Sequence, residues 1–86
     1  MKELIYPAVL YKDEDNGGYT IAIHDLSLIT EGKTVEEAFI NARDCLTAMF
    51  ECAIKFNCEI DAPSPFSKIW KENKGNIVIL VDALAA

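Results

Sequence analysis

From residue 4 to residue 13, apolar side chains fill both alternating sets. Leu4, Tyr6, Ala8 and Leu10 form one set, and Ile5, Pro7, Val9 and Tyr11 form the other. In a strand these sets point to opposite faces, so Leu4–Asp13 reads as a first strand needing cover on both. Pro7 has no amide donor, which predicts incomplete pairing at that point. Asn16-Gly17-Gly18 tolerates positive φ and reads as a hairpin connection. Tyr19 to His24 reads as the second strand, with Tyr19, Ile21 and Ile23 on one face. Leu28–Glu31 follows as a short third strand, and Glu31-Gly32-Lys33 turns the chain.

At Thr34 the apolar spacing changes from two to helical. Val35, Ala38, Phe39, Ala42, Leu46, Met49, Ala53 and Phe56 make one broad stripe. Thr34-x-x-Glu37 is a capping box, and Glu36 and Glu37 suit the positive end of the helix dipole. Asn57 is a plausible stop. Ile40 and Ile54 fall off the stripe, and Ile40 sits among Glu36, Glu37, Asp44 and Glu51 as a mild interface hint. Cys58–Pro65 reads as extended, with Ser64 as N-cap and Pro65 as first residue of a short helix. Phe66, Ile69 and Trp70 cluster at i, i+3, i+4, and Gly75 stands where a C-terminal glycine belongs. Asn76–Leu84 reads as a last strand that is apolar on both faces.

The order is β-β-β-α-(short α)-β, an α+β fold with one long helix on one face of a small sheet. The leading strands form an antiparallel meander. The helical crossover lets the final strand lie parallel to the first, as in a partial ribonuclease-H-like sheet. The long helix covers one face, and a second copy is the simplest cover for the other. A homodimer or larger homo-oligomer is therefore expected.

Eighty-six residues make one domain, and only about 60 % of the unfolded surface is buried at that size. A hydrophobic content of 51 % is rich for so small an interior and favours sharing apolar surface between copies. The formal net charge is −6, from 14 acidic and 8 basic residues. Such a chain repels phosphate backbones and suits a basic protein partner, so direct nucleic-acid binding is not expected. Asp13-Glu14-Asp15 reads as a solvated turn or as a contact for that partner. Three cysteines, an odd number, stand without a signal-peptide segment, which points to reduced thiols in the cytoplasm. No apolar run approaches the roughly 18 residues that span a bilayer, so no membrane role is expected.

His24 with Cys45, Cys52 and Cys58 matches a zinc ligand count, but not zinc spacing. Cys45 and Cys52 lie two helical turns apart, about 10 Å, and the thiols read as buried structural groups. Nothing marks an activated thiolate near His24. A two-metal nuclease needs clustered acids, and Asp13, Glu37, Asp44 and Asp82 do not readily converge. Gly17-Gly18 lacks the spacing and the following helix of a phosphate loop. No catalytic residue, metal ligand or cofactor site is therefore expected.

Several short motifs occur in one order: Tyr6-Pro7, Asp15-Asn16-Gly17-Gly18-Tyr19, Asp25-Leu26, Thr30-Glu31-Gly32, Glu37-Ala38 through Ala42, and Ala62-Pro63-Ser64. Over roughly residues 5 to 65 this set resembles the N-terminal domain of HicB antitoxins. His24 replaces the proline usual before Asp25, and Ser27-Leu28-Ile29 replaces Pro-Gly-Cys. The resemblance implies that residues 1–86 form a single HicB-like antitoxin domain. The C-terminal DNA-binding domain of many members is not expected. It implies occlusion of a small basic HicA-like ribonuclease toxin, with no catalysis by this chain. Asp13, Glu14, Asp15, Tyr19, Asp25 and Ile40 are the candidate partner contacts. An orphan HicB-like oligomeric interaction module is the second reading, and a metal-dependent nuclease is the third.

Overall fold

The computed structural model describes residues 5–83. Four strands form one sheet: β1 (Ile5–Lys12), β2 (Tyr19–Ile23), β3 (Leu28–Gly32) and β4 (Ile77–Asp82), in spatial order β3-β2-β1-β4. A single 3₁₀ turn at His24–Leu26 links β2 to β3, ending on Ser27 in the left-handed region. The helices are α1 (Val35–Lys55) and α2 (Phe66–Glu72). Expected ends at Leu4 and Leu84 lie outside the described residues.

The alternation in β1 divides the interior as expected. Tyr6, Ala8 and Leu10 join Ile21, Ile23, Leu28 and Val81 beneath Ala38, Ala42 and Leu46 of α1. This is the main core. On the other face Val9 and Ala22 are buried, and α2 packs against β1 and β4 with Ile69 turned inward. Pairing of β1 with β2 begins at Val9, so Pro7 has β4 as its strand neighbour, opposite Leu80. The missing donor thus sits where only one side of β1 is paired.

The final strand runs antiparallel to β1, from Leu10↔Ile77 to Ile5↔Asp82, and not parallel as the crossover suggests. The cause lies between the helices. α1 returns the chain to the end of the sheet where β1 begins, and a parallel β4 could start there. Instead residues 58–65 and α2 carry the chain back along the opposite face, so β4 enters from the other end. Its capping residues also differ: Pro65 is the N-cap of α2, and Ser64 is engaged elsewhere.

Thr34 caps α1 as expected. Its Oγ1 accepts the Glu37 amide at 3.0 Å, while Glu37 Oε1 accepts the Lys33 amide at 3.3 Å. Asn57, with φ +54°, ends the helix region. At about 1.5 Å per residue, α1 is near 31 Å long, against about 17 Å for a five-residue strand. Its last turns therefore overhang the sheet. Phe56 is 64 % exposed, and Cys45, Cys52 and Cys58 are exposed free thiols, not buried ones.

Candidate functional site

The hairpin end of the sheet holds a groove of about 590 Å³. Asp13, Tyr19, Glu31, Glu37, Asn41 and Lys33 contribute to its lining. Three carboxylates against one ammonium make it acidic. Its walls are held by close backbone contacts. A Cβ on Gly32 would fall 2.3 Å from the Ala38 amide nitrogen, so only glycine lets the start of α1 rest on β3. Asn41 Nδ2 donates to the Glu31 carbonyl at 2.8 Å and fixes the next turn.

The six candidate contacts do not form one surface. Asp13 Oδ1 accepts the amides of Asp15 and Asn16, both at 3.1 Å, so this carboxylate builds the turn. Those two amides hold its carboxyl below the usual aspartate range. Glu14 and Asp15 are exposed beside it. Tyr19 is half-buried against the main core. Ile40 is 53 % exposed on α1, next to groove residue Asn41. Asp25 lies at the far end of β2 and takes no part in the groove.

That far end is a structural lock. Asp25 accepts from the Ser64 amide at 2.9 Å and from the Ser64 hydroxyl at 2.5 Å. The buried Tyr6 hydroxyl donates to the Asp61 carbonyl at 2.6 Å. Burial, then the Asp25 and Asp61 carboxylates, push the Tyr6 phenol above its ordinary pKa. Motif residues from β1, the 3₁₀ turn and the loop before α2 thus meet at one place. Their shared task is to hold residues 58–65 as the chain crosses between faces.

Sequence reasoning missed two features. Tyr11 reaches along the outer face to His24 Nε2, 3.0 Å away, and donates to Asn73 Oδ1 at 3.4 Å. Ala22, 3 % exposed, lies on the same face of β2 between these partners. A second cleft of about 380 Å³ lies under the overhang of α1, lined by Leu26, Met49, Phe56, Ile60 and the two thiols of Cys52 and Cys58. The Tyr11 contacts join residues far apart in sequence, and the cleft forms only where the stretch from Met49 to Asp61 folds back on itself beside Leu26.

Among the described residues, no group of three or more His, Cys, Asp or Glu side chains is placed to hold a metal ion. Asp82 is paired with Arg43 at 2.7 Å, at the other side of the sheet from the groove acids. No helix among the described residues is long and apolar enough to cross a membrane.

The fold matches solved structures closely. The N-terminal domain of the Burkholderia pseudomallei antitoxin HicB superposes with a TM-score of 0.79 at 22 % identity, covering 91 % of this chain and 95 % of that one. The longer Burkholderia pseudomallei antitoxin HicB gives 0.77 at 24 % identity, over 94 % of this chain and 62 % of that chain. A toxin–antitoxin complex from Streptococcus pneumoniae gives 0.78 at 18 % identity, over 95 % and 69 %. No curated protein matches the chain. A family model for the HicB-like antitoxin of bacterial toxin–antitoxin systems matches residues 5–86. With that match across nearly the whole chain, the protein belongs to the HicB-like antitoxin family.

Proposed function

We propose that this chain binds a small basic HicA-like ribonuclease toxin in the cytoplasm and silences it by occlusion. The observation that carries the reading is the acidic groove at the hairpin end, flanked by exposed Glu14, Asp15 and Ile40. A basic surface shaped to hold a phosphate backbone would be drawn to these carboxylates and kept from RNA by them. The antitoxin itself performs no catalysis in this scheme. It works as an assembly of more than one copy, because apolar side chains such as Leu80 and Trp70 remain exposed on one protomer. Family membership supports the toxin partner, and the net charge of −6 supports its basic character.

The test is to read the open reading frames beside this gene and to co-express any small basic protein found there with this chain. The two should co-purify, and RNA cleavage by the partner should cease on addition of this chain. Failure of both would sink the antitoxin reading. The orphan-module reading would then stand on the exposed apolar residues alone.

A further inference from the structure

Among the described residues β4 has one strand neighbour, β1, so its other backbone edge is unpaired. Its core is Ile77-Val78-Ile79-Leu80-Val81, and Asp82, at its end, is already held by Arg43. Edges left free in monomers are normally blunted by a lysine, a proline, an inward charge or a bulge. β3, the other edge, carries Glu31 as the fourth of its five residues. Between Ile77 and Val81, β4 carries none of these devices. Ile77 and Leu80 are 45 % and 50 % exposed, and α2, which touches β4, exposes Phe66 and Trp70.

We infer that β4 pairs antiparallel with β4 of a second copy about a two-fold axis, joining two four-stranded sheets into one of eight strands. This deepens the multi-copy part of the proposed function and rests on that part, not on toxin binding. Charge selects the occupant. The carboxylates that would attract a basic partner line the hairpin groove, whereas this edge is neutral and apolar. The one charge on β4, Asp82, is paired with Arg43, so a second copy of an acidic chain meets no unpaired carboxylate on this strand.

Symmetry also fixes the register. Opposed residues in an antiparallel pair share a face, and a two-fold axis perpendicular to the sheet maps each face onto itself. One residue must therefore oppose its own copy. Centring on Ile79 sets Ile77 against Val81 and Val78 against Leu80, so every pair between Ile77 and Val81 is apolar, and Asp82 falls opposite Asn76, just outside the strand. Centring on Leu80 would set Val78 against Asp82 and desolvate its carboxylate. The Ile79 register is the favoured one. Both α1 helices then lie on one side of the joined sheet and both α2 helices on the other.

The experiment uses the full chain without a toxin, so its failure is separable from failure of the antitoxin reading. With the exposed Cys45, Cys52 and Cys58 changed to serine, Ile79→Cys should form a covalent dimer on mild oxidation. Opposed Cα atoms lie about 4.5–5.5 Å apart, within disulfide reach. Ile29→Cys on β3 should cross-link at least about tenfold more slowly. Leu80→Lys should leave the far-ultraviolet circular dichroism unchanged and raise the dimer dissociation constant at least about tenfold, read by sedimentation. A monomeric wild type at micromolar concentration would overturn the inference, as would equal cross-linking at Ile29 and Ile79. A Leu80→Lys protein that is folded and still dimeric would also overturn it.

Discussion

Asp25 grips Ser64 through two hydrogen bonds, one to the backbone amide and one to the hydroxyl, across 39 residues of sequence. A residue that reads as a partner contact in sequence thus also holds the chain between α1 and α2. Hydrogen bonds to a carboxylate contribute about 1.5–3 kcal/mol each at most, and this pair is half-buried. Asp25→Ala should lower the unfolding free energy by about 1–3 kcal/mol, seen as a lower urea midpoint at similar slope. If the clamp is the whole role, toxin affinity measured well below the melting temperature should change little.

Gly32→Ala should be damaging although the substitution is small. The new methyl would meet the Ala38 amide nitrogen at 2.3 Å, and backbone cannot rotate away as a side chain can. Overpacking of this kind costs about 1–3 kcal/mol, and more where backbone must move. The thermal midpoint is the check. Gly17→Ala makes a useful contrast: its Cβ meets nothing within 4 Å, so its cost comes only from a φ of +75°.

The proposed toxin contact is open to a charge-reversal test. Glu14→Lys with Asp15→Lys alters exposed carboxylates and spares Asp13, which builds the turn. Association should slow by about one decade at low salt, with dissociation little changed. Raising the salt should narrow the gap between the variants. Equal association rates would place the contact elsewhere on the molecule.

Acid should loosen the attachment of β4. Hydrogen bonding from Arg43 holds the Asp82 carboxyl below its ordinary pKa of 3.8. A carboxylate whose folded pKa is depressed stabilises the fold above its unfolded pKa, and that contribution is lost as pH falls through the folded value. Melting temperatures of wild type and Asp82→Asn should therefore differ most near neutral pH. They should converge as pH drops below about 4. Asp82 is nearly half exposed, so salt should shrink the difference.

The acidic chain should leave its own promoter alone at physiological salt. Phosphate contacts dominate DNA affinity, and a net charge of −6 opposes them. A specific gel shift at submicromolar protein that survives competitor DNA would contradict this expectation.

Features decided within a few residues were legible in the sequence. The Thr34–Glu37 cap, the Gly17-Gly18 connection and the alternation in β1 are local, and the structure keeps them. The direction of β4 was not legible, because it depends on where residues 58–65 cross, and Asp25 and Tyr6 set that from distant positions. The thiols were misplaced for a similar reason. Cys52 and Cys58 lie where the helix outruns the sheet, which a helical stripe does not show, whereas Cys45, next to buried Leu46, falls off the stripe and faces solvent. The groove is half legible: its turn acid Asp13 stands out, whereas Glu31 and Glu37 join it only through the close seat of α1 on β3.

The place of β1 in the sheet bears on how the protein is made. Its two neighbours are made at different times: β2 follows it directly, whereas β4 is translated some seventy residues after β1 begins. During synthesis, its bare, strongly apolar edge must wait for a late arrival, which slows folding and exposes the nascent chain to aggregation and proteases. The four-stranded sheet is complete only after β4 has been translated and docked. Chains interrupted before β4 should accordingly leave β1 unpaired on one side and be lost to proteolysis or aggregation.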